Sequence, residues 1–120
     1  MSLHIAIDPT ESEPGSRLVV CLEGLLNSQG AETAHHYLRI LLDQQTKPVH
    51  VLLEGSKLTY LNSSGLRTLS QFSRELRKSG KRLALCCASE QLTDLVEVAG
   101  LSTLILMYPS VDEARQALVH

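Results

Sequence analysis

Tryptophan is missing from this chain, and phenylalanine occurs only once among its 120 residues. Even with three tyrosines, aromatic residues amount to 3% of the sequence. Proteins that bind single-stranded nucleic acid use aromatic rings as stacking platforms for the bases. The formal net charge is −2, whereas proteins that bind the phosphate backbone present a basic surface. These shortages argue against direct nucleic-acid binding and predict a core built from aliphatic side chains.

Long apolar runs are also absent, since no stretch approaches the roughly 18 residues that a membrane-spanning helix requires. The first residues lack the basic segment followed by an apolar run that marks a signal peptide. Cys21, Cys86 and Cys87 are an odd number without metal-ligand spacing, and we predict buried thiols in a reducing compartment. The sequence therefore predicts a cytoplasmic protein that does not insert into a membrane and holds no metal.

Catalytic motifs are equally scarce. Ser63 and Gly65 fit part of the nucleophile elbow G-x-S-x-G, but Leu61 stands where the first glycine is needed. The adjacent His35 and His36 would point about 100° apart on a helix, so they do not form the i, i+4 pair of a zinc site. No Gly-rich phosphate loop occurs. A serine hydrolase is disfavoured, and we expect a protein without enzymatic activity or a cofactor.

The remaining pattern is that of one globular domain spanning residues 1–120, with 43% hydrophobic and 20% charged residues. Helical spacing predicts four helices, which begin near residues 28, 63, 89 and 110. Apolar runs predict five strands, at residues 3–7, 18–22, 49–54, 83–87 and 104–107. Residues 9–15 form a predicted turn between the first two strands, which pair as a hairpin. The order β-β-α-β-α-β-α-β-α predicts an α/β fold with a mixed central sheet and helices packed against it.

One turn carries the polar side chains of most interest. Asn62, Ser63, Ser64 and Gly65 come where a strand leads into the second helix. Asn and Ser are common helix caps because their side-chain oxygens accept hydrogen bonds from unpaired N–H groups of the first turn. A hydroxyl at this position also faces the positive end of the helix dipole, which favours a phosphate group. The local sequence is compatible with both a capping role and a functional role.

The turn and the element order together resemble the STAS domain family, the fold of anti-sigma factor antagonists of the SpoIIAA type. That family typically reads Asp-Ser-Ser/Thr/Ala-Gly-Leu where this chain has residues 62–66. The likeness covers nearly the whole chain, including residues 24–27, which are similar to the family's Gly-x-Leu-Asp, and residues 110–114. Asn27 and Asn62 stand where the family usually has Asp, and Glu54 stands where it often has Asp.

The resemblance implies a function. In such proteins the first Ser of the turn is phosphorylated by a partner anti-sigma factor that is also a serine kinase, and the unphosphorylated form binds that kinase. Carried over by position, Ser63 is the phosphoacceptor and Ser64 is the second choice. Arg67, four residues after Ser63, is placed to hold the phosphate. The predicted partner-binding set is Asn27, Glu54, Asn62, Ser63, Ser64, Gly65 and Arg67.

One alternative to this switch remains open, and so does the oligomeric state. The chain also fits a constitutive STAS subunit of a larger assembly, such as a membrane transporter complex, in which Ser63 serves only as part of a helix cap. The two asparagines favour that alternative, because they remove negative charge from the expected binding face, whereas the Ser63-Ser64-Gly65 sequence favours the switch. The predicted edge strand at residues 3–7 leaves a homodimer open as well.

Overall fold

The computed structural model describes residues 3–7 and 17–119 of the chain. Within those residues, strands and helices follow in the predicted order. The strands are β1 (Leu3–Ile7), β2 (Arg17–Leu26), β3 (His50–Leu61), β4 (Leu83–Cys86) and β5 (Ile105–Tyr108). The helices are α1 (Ser28–Asp43), α2 (Ser63–Arg77), α3 (Glu90–Val98) and α4 (Val111–Ala117). The predicted α/β fold is confirmed.

The five described strands form one sheet in the order β1-β2-β3-β4-β5. β1 runs antiparallel to β2, and each later neighbour pair is parallel. The mixed sheet and the hairpin-like pairing of the first two strands are therefore as predicted, while the predicted turn at residues 9–15 lies outside the described residues. Parallel neighbours bring the carboxyl ends of their strands to one edge of the sheet, and the helix that follows each strand begins there.

The sheet separates two apolar clusters. One face packs against α1, α2 and α3, because alternate strand residues such as Val20, Val51 and Leu85 point toward those helices. The opposite face packs against α4, where Leu52 and Cys86 belong to a smaller cluster. As the composition suggests, both clusters are mainly aliphatic.

Two strands are longer than the sequence predicts. β2 continues beyond the predicted range 18–22 to Leu26, and β3 continues beyond the predicted range 49–54 to Leu61. The two strands pair with each other over this extra length, with register shifts on either side of Gly24. Both shifts place an extra residue on β3. Opposite them, Gly24 has a φ of 110°, a backbone conformation that glycine adopts without strain.

Smaller differences occur at other element ends. α2 spans Ser63–Arg77, and β5 begins one residue later than predicted. β4 ends at Cys86, so the next residue, Cys87, is not a strand residue but has a φ of 63°. None of the helices in residues 3–7 and 17–119 has the length and hydropathy to cross a bilayer.

Candidate functional site

The starts of α1 and α2 lie side by side at the carboxyl edge of the sheet. Their preceding strands pair to the end, with Leu26 of β2 opposite Leu61 of β3. The backbone N–H of Asn62 then donates to the carbonyl oxygen of Leu26 at 3.3 Å, which ties the second turn to the first. The additional length of β2 and β3 therefore places Asn27 and Asn62, which are 35 residues apart, on one surface.

Both asparagines cap the helices that follow them. The Oδ1 atom of Asn27 accepts a hydrogen bond from the N–H of Gly30 at 2.9 Å, and that of Asn62 accepts one from Gly65 at 3.1 Å. Each cap satisfies one of the N–H groups that a helix leaves unpaired at its start. Because an aspartate oxygen accepts the same bond, the amides keep this cap while removing a negative charge from the surface.

Gly65 lets the start of α2 approach the end of β2 closely. A Cβ atom at this position would lie 2.5 Å from the carbonyl oxygen of Leu26 and 2.8 Å from Cδ1 of Leu61. Such distances are too short for a side-chain carbon, so a larger residue would push the helix away from the strand. Gly65, predicted as part of the partner-binding set, thus has a packing role, because it sets how closely the start of α2 approaches the end of β2.

The structure distinguishes the two candidate phosphoacceptors. Ser63 is exposed, and its hydroxyl makes no hydrogen bond to another described residue. Ser64 is only partly exposed, and its Oγ lies 3.2 Å from Oγ of Ser28, the first residue of α1. The hydroxyl of Ser63 is therefore the more accessible of the two. Ser28 was not among the predicted site residues, although the similar sequences at residues 26–30 and 61–65 point to it.

The electrostatic surroundings of this surface are suited to an anion. Neither α1 nor α2 has an acidic residue in its first turn, so the positive ends of both helix dipoles are not neutralised there. Arg67 is exposed, and the described residues offer it no ion-pair partner. Its side chain lines a groove between α1 and α2 together with Glu32, His35, His36, Ser64, Thr68 and Gln71.

Glu54 lies apart from this surface. It is seven residues before Leu61 on β3, which corresponds to a separation of up to roughly 23 Å along an extended strand. Its carboxylate accepts hydrogen bonds from the N–H of Ser56 at 2.6 Å and from the Ser56 hydroxyl at 2.9 Å. The structure therefore brings six of the seven predicted partner-binding residues to the region of the two helix starts and leaves Glu54 outside it.

Cysteines flank Glu54 on the neighbouring strands, since Cys21 and Cys86 stand opposite it in the strand registers. Burial raises the pKa of the Cys86 thiol to about 12, and the charges of Cys87 and Glu54 act in the same direction. Burial, followed by the charge of Glu54, also raises the pKa of Cys87. Thiols with raised pKa values are weak nucleophiles. Only Cys86 is fully buried, so the prediction of three buried thiols is wrong for Cys21 and Cys87.

A catalytic arrangement does not form among the described residues. His35 and His36 line the same groove as Ser64, yet no hydrogen bond joins either imidazole to Ser63 or Ser64. His50 is buried in β3, where its Nδ1 accepts a hydrogen bond from the N–H of Arg82 at 3.0 Å. No group of three metal-ligating side chains occurs in the part of the chain that the structure describes.

Known proteins share this arrangement of elements. The chain is 28% identical over 100 residues to BtrV of Bordetella bronchiseptica, a protein named as a candidate anti-sigma factor antagonist, with 83% of this chain and 84% of BtrV covered. The phosphorylated form of SpoIIAA from Bacillus has a TM-score of 0.67 at 19% identity, covering 95% of this chain and 98% of SpoIIAA.

A third match is part of a larger protein. The murine anion transporter Slc26a9 gives a TM-score of 0.76 at 16% identity, and the match covers 90% of this chain but only 18% of the transporter. At these identities the structural matches establish a shared fold. The family itself is established by sequence, because the model of the STAS domain matches residues 9–114. This chain is a member of the STAS domain family.

Proposed function

We propose that this protein is an anti-sigma factor antagonist, whose binding to a partner anti-sigma factor with serine kinase activity is switched off by phosphorylation of Ser63. The observation that carries this proposal is the exposed, unbonded hydroxyl of Ser63 at the start of α2. Two similarities support it: BtrV is a candidate anti-sigma factor antagonist, and SpoIIAA, which shares the fold, exists in a phosphorylated form. In this role the chain is a substrate of the kinase and a cytoplasmic binding protein, not an enzyme.

The fold is suited to accept a phosphate on Ser63. A phosphoserine carries about −1.5 to −2 charges and three strong acceptor oxygens. At the start of α2 those oxygens meet N–H groups that the helix itself leaves unpaired, and the adjacent start of α1 adds a second positive dipole end. Arg67 lies one helical turn further along α2, within reach of the modified side chain. The added charge therefore has local partners and need not unfold the domain.

A partner that packs flat against the two helix starts is affected differently. Its surface is complementary to a neutral hydroxyl, so a phosphate at the same place must be desolvated and accommodated sterically. A loss of only ~3 kcal/mol in binding free energy weakens a complex more than 100-fold. The proposed contacts are the residues around Ser63 on this surface, which are Asn27, Asn62, Ser64, Gly65 and Arg67, whereas Glu54 lies outside it.

The direct test is phosphorylation by the partner. The purified protein is incubated with ATP and the candidate anti-sigma factor kinase, and the modified residue is located by mass spectrometry. We expect one major phosphate on Ser63 of the wild type, and Ser63→Ala should carry no phosphate at this turn. Ser89→Ala is the matched control, because Ser89 is another exposed serine at a helix start. A chain that takes up no phosphate from any kinase that binds it would contradict the proposal.

A second function remains supported by the asparagine caps. Because Asn27 and Asn62 hold the helix starts without any modification, the same surface also suits a constitutive STAS subunit of a larger assembly. The fold match to part of an anion transporter is in keeping with this alternative. In that case the isolated chain binds its partner equally well before and after mutation of Ser63 to Asp, whereas the switch predicts that Ser63→Asp weakens binding.

A further inference from the structure

A segment that matches the pentapeptide around Ser63 at four of its five positions occurs earlier in the chain. Residues 61–65 read Leu-Asn-Ser-Ser-Gly, and residues 26–30 read Leu-Asn-Ser-Gln-Gly. Each copy ends a strand and begins a helix, and the two strands are parallel neighbours with Leu26 opposite Leu61. Ser28 therefore occupies in the first copy the position that Ser63 occupies in the second.

The two copies also agree in detail. Asn27 and Asn62 both have extended backbones, with φ and ψ of −95° and −164° in one and −116° and −174° in the other. Each accepts a hydrogen bond from the glycine three residues later. A Cβ atom on Gly30 would collide with the carbonyl oxygen of Leu25, as one on Gly65 would with that of Leu26. The repeat in sequence is thus a repeat in three dimensions.

The remaining two described helices start differently. Ser89 and Ser110 are themselves the caps of α3 and α4, and their hydroxyl oxygens accept hydrogen bonds from Leu92 and Glu113 at 3.2 and 3.1 Å. In α1 and α2 an asparagine side chain is the cap and accepts the hydrogen bond from the first turn. The hydroxyl of the serine that follows it is therefore not bonded to the backbone. Ser28 is exposed, and its hydroxyl lies within hydrogen-bond distance of the hydroxyl of Ser64.

We propose that Ser28 is a second phosphoacceptor of the same kinase that modifies Ser63, an inference that rests on the proposed function. The kinase transfers the γ-phosphoryl group of ATP to Oγ of Ser28. The bond from that phosphorus to the ADP oxygen breaks, a phosphorus–oxygen bond to Ser28 forms, and the hydroxyl proton passes to the base of the kinase. Duplication of the acceptor segment allows the kinase to engage either copy on one continuous surface.

Proximity makes the two modifications antagonistic. Ser28 touches the residue next to Ser63, so phosphates on both would place two groups of −1.5 to −2 charges close together. Like charges at short range oppose one another, and a kinase approaching the second hydroxyl also meets the first phosphate. The singly phosphorylated chain should therefore predominate, and transfer to Ser28 should be at least tenfold faster in Ser63→Ala than in the chain already phosphorylated on Ser63.

The test uses the full chain, ATP and the kinase that modifies the wild type, with sites mapped by tandem mass spectrometry. We expect Ser63→Ala to retain one phosphate, located on Ser28, and the double variant Ser28→Ala with Ser63→Ala to lose it. This inference would be overturned, and the proposed function left intact, by a different pattern. In that pattern the wild type is phosphorylated on Ser63, whereas Ser63→Ala takes up no phosphate or takes it up on Ser64. A wild type that is never phosphorylated would overturn both.

A second measurement is needed because Ser63→Ala could fail to be phosphorylated simply by binding the kinase poorly. This measurement is the affinity of the kinase for chains that already carry phosphoserine. Phosphoserine incorporated biosynthetically at position 28 should weaken binding of the kinase at least tenfold, as phosphoserine at position 63 does. Phosphoserine at position 89 is the matched control, at a helix start outside the repeat. Equal affinity of the kinase for the unmodified chain and the chain phosphorylated at position 28 would contradict the inference.

Discussion

At the scale of single residues, Asn27 and Asn62 both cap the helices that follow them. Each holds a helix start through its side-chain oxygen, so an amide serves as well as a carboxylate. The difference is in charge, because an aspartate at either position would bring a negative charge next to the serine hydroxyl. The amides thus leave the two positive helix ends free to interact with a phosphate or an acidic group of a partner.

This assignment predicts the outcome of substituting Asn62. Replacing it with Ala removes the cap and should lower the free energy of unfolding by about 1 kcal/mol, within the range measured for such caps. Replacing it with Asp keeps the acceptor and adds a favourable charge at the helix start, so stability should be unchanged or rise by about 0.5 kcal/mol. Urea denaturation measures both values. Equal stability of the Ala variant and the wild type would show that the cap is dispensable.

Arg67 gives a second prediction at this scale. If its guanidinium group pairs with phosphate on Ser63, it favours the doubly ionised form and lowers the second pKa of the phosphate. Arg67→Ala should therefore raise that pKa, which a phosphorus NMR titration of the phosphorylated chain measures directly. Arg74→Ala is the control, since Arg74 is an exposed arginine nearer the end of the same helix. The same pKa in wild type and Arg67→Ala would exclude the pairing.

At the scale of elements, the position of the helix starts depends on the long pairing of β2 and β3. The sequence predicted the number, type and order of the elements, because apolar runs and helical spacing are local signals. It did not predict that β3 extends to Leu61, since Ser56, Lys57 and Thr59 have the polarity of a loop. Those residues are extended because they pair with β2, and pairing between distant segments leaves little trace in local sequence.

Gly65 provides a prediction about how α2 meets β2. Gly65→Ala places a methyl group against the carbonyl oxygen of Leu26, and relief of that contact requires the helix to shift. We expect a loss of about 1–3 kcal/mol in the free energy of unfolding, the usual range for overpacking, together with weaker partner binding. Thr68→Ala on the same helix is the control. Unchanged stability in Gly65→Ala would mean that the close approach of α2 to β2 does not contribute to the stability of the fold.

Cys86, between the sheet and α4, predicts a dependence of stability on pH. Its pKa rises from 9.0 to about 12 on folding because the thiol is buried. Below pH 9 the thiol is protonated in both states and the full stability is present, whereas above pH 9 the unfolded state loses the proton first. Between pH 8 and 10.5 this group should therefore cost about 2 kcal/mol of stability.

Cys86→Ala isolates that contribution. The variant will be less stable at pH 8, since it removes a buried side chain, but its loss of stability between pH 8 and 10.5 should be about 2 kcal/mol smaller than that of the wild type. Urea denaturation at both pH values gives the comparison. The same alkaline loss in both proteins would show that the Cys86 thiol does not govern it.

At the scale of the whole molecule, the candidate site lies at the carboxyl edge of the sheet, at the starts of two helices that also pack on the larger core. One face carries α1, α2 and α3 on the larger core, and α4 covers part of the other face. The sequence alone singled out Ser63 and its neighbours as candidates, because the turn resembles a short motif of the family. The pairing of Ser64 with Ser28 and the distance of Glu54 were not, because both depend on how the strands lie next to each other. The predicted homodimer through the edge strand β1 remains a prediction.

The central claim is that one surface binds the partner when Ser63 is a free hydroxyl and releases it when Ser63 carries a phosphate. Isothermal titration calorimetry with the partner kinase and a non-hydrolysable ATP analogue measures this most directly, using the unmodified chain and the chain phosphorylated only on Ser63. We expect a dissociation constant more than 100-fold higher for the phosphorylated chain. Equal dissociation constants for the two forms would contradict it.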